Sequence, residues 1–254
     1  MRRIIEQFRI DIATLDRRAI FAFLYAGFGL ASIYYLKNQA AIAAYLHGTR
    51  FEAFGEWIAI ANDNNLPALS WWVLVVTIFY FVLPAVAIKF LYREDLSDYG
   101  LRLATEPGFW KVLAVCIAVM LPIVVLVSTT AGFSAKYPFF QIYNGDAYLG
   151  SRFLLWELIY FFQFFGLEFF FRGFLLHSLK PSLGLYSIFA MTVPYCMIHF
   201  GKPPAETLAA IIAGVFLGWL SYRNGSILLG LILHCTVAFS MDILALMHKG
   251  LLFK

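Results

Sequence analysis

The apolar runs of this chain restrict its fold more than any other feature of the sequence. Between Phe109 and Val127 the only charged residue is Lys111, and residues 69–90 form a second long run with the single charge of Lys89. A helix of about 20 apolar residues is long enough to cross the hydrocarbon core of a bilayer. We therefore expect membrane-spanning helices.

Composition extends this expectation to the whole chain. Hydrophobic residues make up 62% of the 254 residues and charged residues 13%, against about 45–50% and 25% in soluble domains. Such a chain is too apolar for a disordered protein, and no nucleic-acid partner is expected. The predicted fold class is all-α, a polytopic membrane helix bundle of about seven transmembrane helices with an N-terminal amphipathic helix. The expected spans are residues 19–36, 69–90, 109–127, 152–179, 183–200, 205–222 and 226–247.

We expect a single membrane domain over residues 1–254. Residues 1–18 combine arginines with apolar residues along one helix face, which predicts an amphipathic helix on the membrane surface. Residues 19–127 would supply accessory spans, and residues 150–247 the functional core. If seven spans alternate, Lys and Arg are more frequent on the side of the N-terminus, which predicts a cytoplasmic N-terminus. The short loops favour a bacterial inner-membrane protein.

Ionisable residues within the spans are the main functional signal. A charge at the bilayer centre costs at least about 2.5–3.5 kcal/mol, so such residues usually serve a function. Glu168 and Arg172 are four residues apart, share a helix face and can pair. Glu157 precedes Glu168 by close to three helical turns and falls on the same stripe. His199 ends the fifth expected span, and His234 lies inside the seventh.

Two imidazoles and a carboxylate in a dry site allow two kinds of hydrolytic chemistry. The carboxylate can act as a general base while the histidines polarise a carbonyl group or hold an oxyanion. Alternatively, the three groups can bind a divalent metal such as zinc, which acidifies its bound water. Two other interpretations stay open: an ion pair of Glu168 and Arg172 that only locks two helices together, and a carrier that relays protons.

Three segments of the C-terminal half form an ordered set of motifs. Residues 168–175 read Glu-Phe-Phe-Phe-Arg-Gly-Phe-Leu, residues 195–199 read Tyr-Cys-Met-Ile-His, and residues 225–234 place a Gly-Ser turn before a helix that carries His234. These segments resemble the three motifs of the CPBP family, with Tyr195 where the second motif has Phe. This family, also called Abi, comprises CAAX prenyl endoproteases and bacteriocin-processing or immunity-type membrane proteases.

The resemblance implies intramembrane proteolysis of a membrane-embedded or lipidated substrate surrounded by membrane lipid. Glu168 and His199 would activate water, His234 would help to hold the oxyanion, and Arg172 and Tyr195 would support them. Whether Glu168, His199 and His234 work without a metal or bind a divalent ion such as zinc is left open by the resemblance.

Two positions depart from the family pattern. Leu167 stands where the first motif has the first Glu of a pair, and Ala238 stands where a polar residue is expected after the third-motif His. The departures motivate an alternative function, a catalytically inactive CPBP-like binding or immunity protein. The candidates for a replacement acid are Glu157, Glu206 and Asp242.

Overall fold

The computed structural model describes residues 1–59, 63–103 and 106–252, and it confirms an all-helical membrane bundle. The helices are α1 (Arg2–Ala13), α2 (Arg17–Leu36), α3 (Gln39–Leu46), α4 (Glu52–Ala59), α5 (Leu66–Tyr92), α6 (Phe109–Ser128), α7 (Ala131–Lys136), α8 (Ser151–Leu183), α9 (Tyr186–Met197), α10 (Pro204–Asn224) and α11 (Leu228–His248). Among the described residues, α2, α5, α6, α8, α10 and α11 are long and apolar enough to cross a bilayer. The chain is therefore a multi-pass membrane protein.

The fifth predicted span is a shorter helix than the sequence suggested. The prediction was residues 183–200, whereas α9 has 12 residues, which extend over only about 18 Å of a hydrocarbon core about 30 Å thick. The amide of His199 bonds the carbonyl of Cys196 at 3.0 Å, which tightens the chain into a turn, and Pro203 and Pro204 follow. The predicted set of about seven spans is thus six full-length helices and one short helix.

Hydrogen bonds between loops and helix ends identify the two opposite sides of the helix bundle. The first side is marked by Arg18–Glu94 (2.6 Å), Lys180–Tyr222 (3.0 Å) and Ser226–Arg102 (3.1 Å), and the second by Asn65–Phe139 (2.7 Å), Tyr137–Glu206 (3.0 Å) and Ser128–His248 (2.9 Å). Because α9 follows the end of α8 on the first side and leads to α10 on the second, it joins the two sides despite its length. The described helices thus pass between the sides seven times.

Two predicted boundaries are shifted by local structure. The fourth span was expected over residues 152–179 and to end at Pro181, but α8 continues past this proline. A proline removes one internal hydrogen bond and crowds the carbonyl four residues before it, and α8 tolerates this for its last two residues. The stretches between spans, expected as loops, contain the short helices α3, α4 and α7.

The N-terminal helix α1 is shorter than the amphipathic helix predicted over residues 1–18. Every residue of α1 is exposed. Asp16 then begins the first span, because its carboxylate accepts the backbone N–H of Arg18 at 2.7 Å and caps α2. Arg17 and Arg18 therefore belong to the first turn of the membrane-spanning helix.

The middle of α8 is the centre of the bundle. Residues 166–176 are all buried, and within them Phe169–Leu175 form a π-helical stretch. Phe170 stacks on Tyr80 of α5 with ring centroids 4.6 Å apart. A helix that is buried on all sides is a core helix, so the ionisable residues of this stretch lie in apolar surroundings.

Candidate active site

Glu168 and Arg172 form the buried ion pair that their spacing predicted. Nη1 of Arg172 donates to Oε1 of Glu168 at 2.9 Å, and both residues are 0% exposed. Glu168 is the last α-helical residue of α8 before the π-helical stretch, and π-helical turns occur frequently at functional sites. The pair balances charge inside the bundle, since an isolated buried ion would carry a large desolvation cost.

Gly230 of α11 makes room for the carboxylate of Glu168. A Cβ atom at position 230 would lie 2.2 Å from Oε2 of Glu168, far inside van der Waals contact. The α11 backbone therefore approaches α8 as closely as it does only because this residue has no side chain. Oε2 itself has no hydrogen-bond partner among the described residues.

His234 lies one turn after Gly230 and contacts the same carboxylate. Its Nδ1 atom is 2.9 Å from Oε1 of Glu168 and 3.1 Å from the carbonyl oxygen of Gly230. The ring of Phe164 stacks on the imidazole, with centroids 5.4 Å apart. His234 keeps 19% of its side chain exposed, in contrast to Glu168. The predicted meeting of Glu168 with the third-motif histidine is present in the structure.

Tyr195 connects α9 to the cluster formed by Glu168, Arg172 and His234. Its hydroxyl lies 3.1 Å from Nε2 of His234, and the guanidinium carbon of Arg172 lies 3.8 Å from the centroid of its ring. A cation over an aromatic face is attracted by the quadrupole of the ring. Tyr195 is buried, at 1% exposure, so its contacts in the group are made within the protein.

His199 reaches the group through Tyr195. Nδ1 of His199 lies 2.9 Å from the backbone carbonyl oxygen of Tyr195, and the two rings meet edge to face at 4.9 Å. The carbonyl of His199 accepts the hydroxyl of Thr207 from α10 at 2.9 Å, which fixes the turn. The three predicted site residues Glu168, His199 and His234 therefore belong to one connected cluster around Tyr195.

Glu206 lies near this cluster but its carboxylate is engaged elsewhere. It pairs with Lys202 at 2.5 Å and accepts the hydroxyl of Tyr137 at 3.0 Å. Lys202 and Glu206 flank the prolines that follow His199. Of the three candidate replacement acids, Glu206 lies closest in sequence to His199, yet its oxygens are held by other groups.

Glu157 and Asp242 form a separate buried pair between α8 and α11. The two carboxyl groups are neighbours, and Trp156 donates its indole N–H to Oδ2 of Asp242 at 2.8 Å. Neither carboxylate oxygen of Glu157 has a hydrogen-bond partner among the described residues. Along α8, Glu157 precedes Glu168 by about 16 Å, so this pair is distinct from the Glu168 cluster.

The metal alternative finds no matching ligand set in the described part of the chain. No group of three or more His, Cys, Asp or Glu side chains there is arranged to hold a metal ion. In the Glu168 cluster, Nδ1 of His234 faces Glu168 and its Nε2 faces Tyr195, so both ring nitrogens already have partners. The described residues thus do not fit a site formed by Glu168, His199 and His234.

Sequence reasoning missed two residues that shape these sites. Gly230 admits Glu168 to the surface of α11, and Trp156 supplies the only hydrogen bond that Asp242 receives from an N–H group within the described residues. A glycine four residues before a helical histidine was a usable signal, because it marks a close approach on the face that carries the histidine. Trp156 precedes Glu157 directly and gave no comparable signal.

The C-terminal half of the chain matches a known family. Residues 149–240 match the model described as Rce1-like: Type II CAAX prenyl endopeptidase Rce1-like. The matched segment contains all three motifs, and it confirms the resemblance to CPBP intramembrane proteases. The comparisons with curated proteins and with solved structures gave no match.

Proposed function

We propose that this protein hydrolyses a peptide bond of a membrane-associated or lipidated substrate. The proposal is supported by the Rce1-like domain at residues 149–240, a match that indicates an intramembrane CAAX-type endopeptidase in general. The observation that carries the proposal is the carboxylate of Glu168, which is fully buried and held at 2.9 Å by both Arg172 and His234. A charged cluster of this kind inside a membrane bundle is retained at a cost, which favours a chemical role.

In this proposal Glu168 and His199 activate the water. Oε2 of Glu168 and Nε2 of His199 are the acceptor atoms that remain without a hydrogen bond to a described residue. The water oxygen bonds to the peptide carbon, a water proton passes to Nε2 of His199, and the carbonyl electron pair moves onto oxygen. When the C–N bond breaks, that proton passes to the amine and the carbonyl re-forms.

His234 serves the oxyanion in the same proposal. The hydroxyl of Tyr195, held at 3.1 Å from Nε2 of His234, is the donor that can turn to the developing negative charge. Arg172 acts at longer range, since it keeps Glu168 ionised and covers the ring of Tyr195. We further propose a bacterial inner-membrane location with a cytoplasmic N-terminus, which makes the first side of the bundle cytoplasmic.

The test is proteolysis in reconstituted membranes. The full chain in liposomes would be incubated with a lipidated peptide library, for example peptides that carry S-farnesyl cysteine near the C-terminus, and the fragments identified by mass spectrometry. We expect Glu168→Gln, His199→Ala and His234→Ala each to abolish cleavage. His47→Ala is the matched control, because His47 is exposed and pairs only with Glu52 among the described residues. Full activity of all three site variants would refute the proposal.

A catalytically inactive binding or immunity protein is the second candidate. It is favoured by Leu167 and Ala238, which are buried apolar residues at 5% and 4% exposure where the related family has polar groups. This candidate predicts that the wild-type chain cleaves no library member, and that Glu168→Gln leaves the cellular phenotype intact. A cleavage product that depends on Glu168 excludes it.

A further inference from the structure

Tyr195 contacts the two site histidines with two different groups. Its hydroxyl lies 3.1 Å from Nε2 of His234, and its backbone carbonyl oxygen lies 2.9 Å from Nδ1 of His199. We propose that Tyr195 is a positioning residue that gives the two imidazoles opposite tasks, a free acceptor at His199 and a blocked one at His234. The consequence for catalysis rests on the proposed function, whereas the hydrogen-bonding states of the imidazoles do not.

The state of His234 follows from the groups around it. Nδ1 faces the carboxylate of Glu168 and the carbonyl of Gly230, which are both acceptors, so Nδ1 carries the proton. Arg172 already balances the charge of Glu168, so a cationic His234 would leave this cluster with a net positive charge. His234 is therefore neutral, its lone pair lies on Nε2, and the hydroxyl of Tyr195 donates to that atom.

The state of His199 follows from the end of α9. The amide of His199 bonds the carbonyl of Cys196 at 3.0 Å, so it does not occupy the carbonyl of Tyr195. The last carbonyls of a helix need other donors, and here Nδ1–H of His199 donates to the carbonyl of Tyr195. The lone pair of His199 then lies on Nε2, which no described residue occupies. His199 is consequently the imidazole that can accept a proton from water.

The hydroxyl of Tyr195 is an additional polar group in a site that lacks two polar residues of the related motifs. Leu167 and Ala238 are apolar where the related motifs have polar residues, and Tyr195 stands where the second motif has Phe. Only the hydroxyl distinguishes tyrosine from phenylalanine, and this hydroxyl makes the hydrogen bond to His234. The contact with His234 therefore requires the tyrosine hydroxyl, whereas the contact with His199 uses the backbone carbonyl that every residue has.

Nitrogen-15 NMR of the histidine rings tests the assignment directly. The full chain, labelled in its five histidines, would be measured in lipid bilayers, with His→Ala variants to identify each ring. We expect His199 and His234 both to be neutral with the proton on Nδ1. In Tyr195→Phe, the Nε2 resonance of His234 moves to that of a nitrogen without a hydrogen bond, while His199 is unchanged. A proton on Nε2 of His199, a cationic His234, or an unshifted His234 resonance in the variant overturns the inference.

Kinetics separate positioning from simple structural support. Tyr195→Phe keeps the ring beneath Arg172 and the carbonyl beside His199, so we expect a kcat lower by about 10²-fold and an unchanged KM. Tyr80→Phe is the control, because Tyr80 is also buried and stacks on Phe170 outside the histidine cluster. A kcat within twofold of wild type, or a loss confined to KM, contradicts the inference.

The two measurements distinguish failure of this inference from failure of the proposed function. If Glu168→Gln abolishes cleavage while Tyr195→Phe cleaves at the wild-type rate, the inference is wrong and the protease proposal stands. If the wild-type chain cleaves nothing but the NMR states are as expected, the protease proposal is wrong and the positioning by Tyr195 stands.

Discussion

The two buried acidic centres of α8 differ in the charges that face them. At Glu168 the carboxylate meets the guanidinium of Arg172 and the imidazole of His234, both at 2.9 Å. At Glu157 the neighbouring group is a second carboxyl, that of Asp242, which accepts the indole N–H of Trp156. One helix therefore carries a charge-balanced centre and an unbalanced one about 16 Å apart.

The difference shows how a bundle can bury acids in two ways. An ionised carboxylate is tolerated inside a membrane protein when a cation and hydrogen bonds compensate it. Two neighbouring carboxyl groups in apolar surroundings disfavour each other's ionisation. The first arrangement supports chemistry with a charged group, whereas the second is a neutral or singly charged contact between α8 and α11.

Removal of the charge of Glu168 should give the largest effect. Glu168→Gln leaves Arg172 buried without a counterion, so we expect the free energy of unfolding to fall by about 3–5 kcal/mol. Unfolding of the purified protein in bicelles by SDS titration measures this loss. A loss no larger than that of Glu157→Gln would remove the distinction between the two centres.

Closing the space beside Glu168 should come next. In Gly230→Ala the new methyl group would overlap Oε2 of Glu168, and the displaced carboxylate should lower the free energy of unfolding by about 1–3 kcal/mol. Gly27→Ala in α2 is the matched control, since a Cβ there meets nothing within 4 Å. The same SDS titration compares both, and equal stability of the two variants would contradict the close approach.

Loss of the indole donor should weaken the second centre moderately. Trp156→Phe removes the 2.8 Å hydrogen bond to Asp242, and we expect a loss of about 1–2 kcal/mol in unfolding free energy. Trp110→Phe serves as the control because Trp110 is 68% exposed. Thermal unfolding in detergent ranks the two variants, and the reverse order would argue against the bond.

Neutralising Glu157 should change little. Its amide replacement in Glu157→Gln can donate to Asp242, so the unfolding free energy should stay within about 1 kcal/mol of wild type. We also expect peptide cleavage to be retained. Lost cleavage with unchanged stability would instead identify Glu157 as the acid that replaces the missing first-motif Glu.

The partly exposed acid Glu94 should give the smallest effect, and it provides a contrast with the two buried acidic centres. Burial raises the pKa of Glu94, but hydrogen bonds from Tyr99 and Arg18 outweigh it and hold the pKa below its usual range. A lowered folded-state pKa gives stability that is present above the unfolded pKa and is lost as pH falls through the folded one. We expect Glu94→Gln to lose about 0.5 kcal/mol at pH 7. Melting curves between pH 7 and pH 3 should show this difference shrink as pH falls.

The sequence predicted those features that depend on spacing within one helix. The length of the apolar runs gave the full-length spans, and the four-residue interval gave the pair of Glu168 and Arg172. Contacts between helices were less accessible, because they depend on the depth and rotation of each helix. Such packing determines that Glu157 and Asp242 are neighbours, and the hydropathy pattern does not predict it.

The length of α9 was beyond prediction for a related reason. Residues 196–200 are mostly apolar, so the sequence gives no signal that the helix stops at Met197. The stop is made by hydrogen bonds of the turn and by the hydroxyl of Thr207, which belongs to the following helix. A local pattern cannot report a helix end that a neighbouring helix stabilises.

The early end of α9 bears on hydration of the bundle. Peptide groups outside a regular helix must find partners in the protein or in water, because lipid tails offer none. The turn after Met197 finds many of these partners within the protein, and the charged side chains of Lys202 and Glu206 beside it are each about one-quarter exposed. Hydrolysis of a peptide bond consumes water. Because α9 ends early, His199 lies at a turn beside charged side chains and not inside an apolar helix.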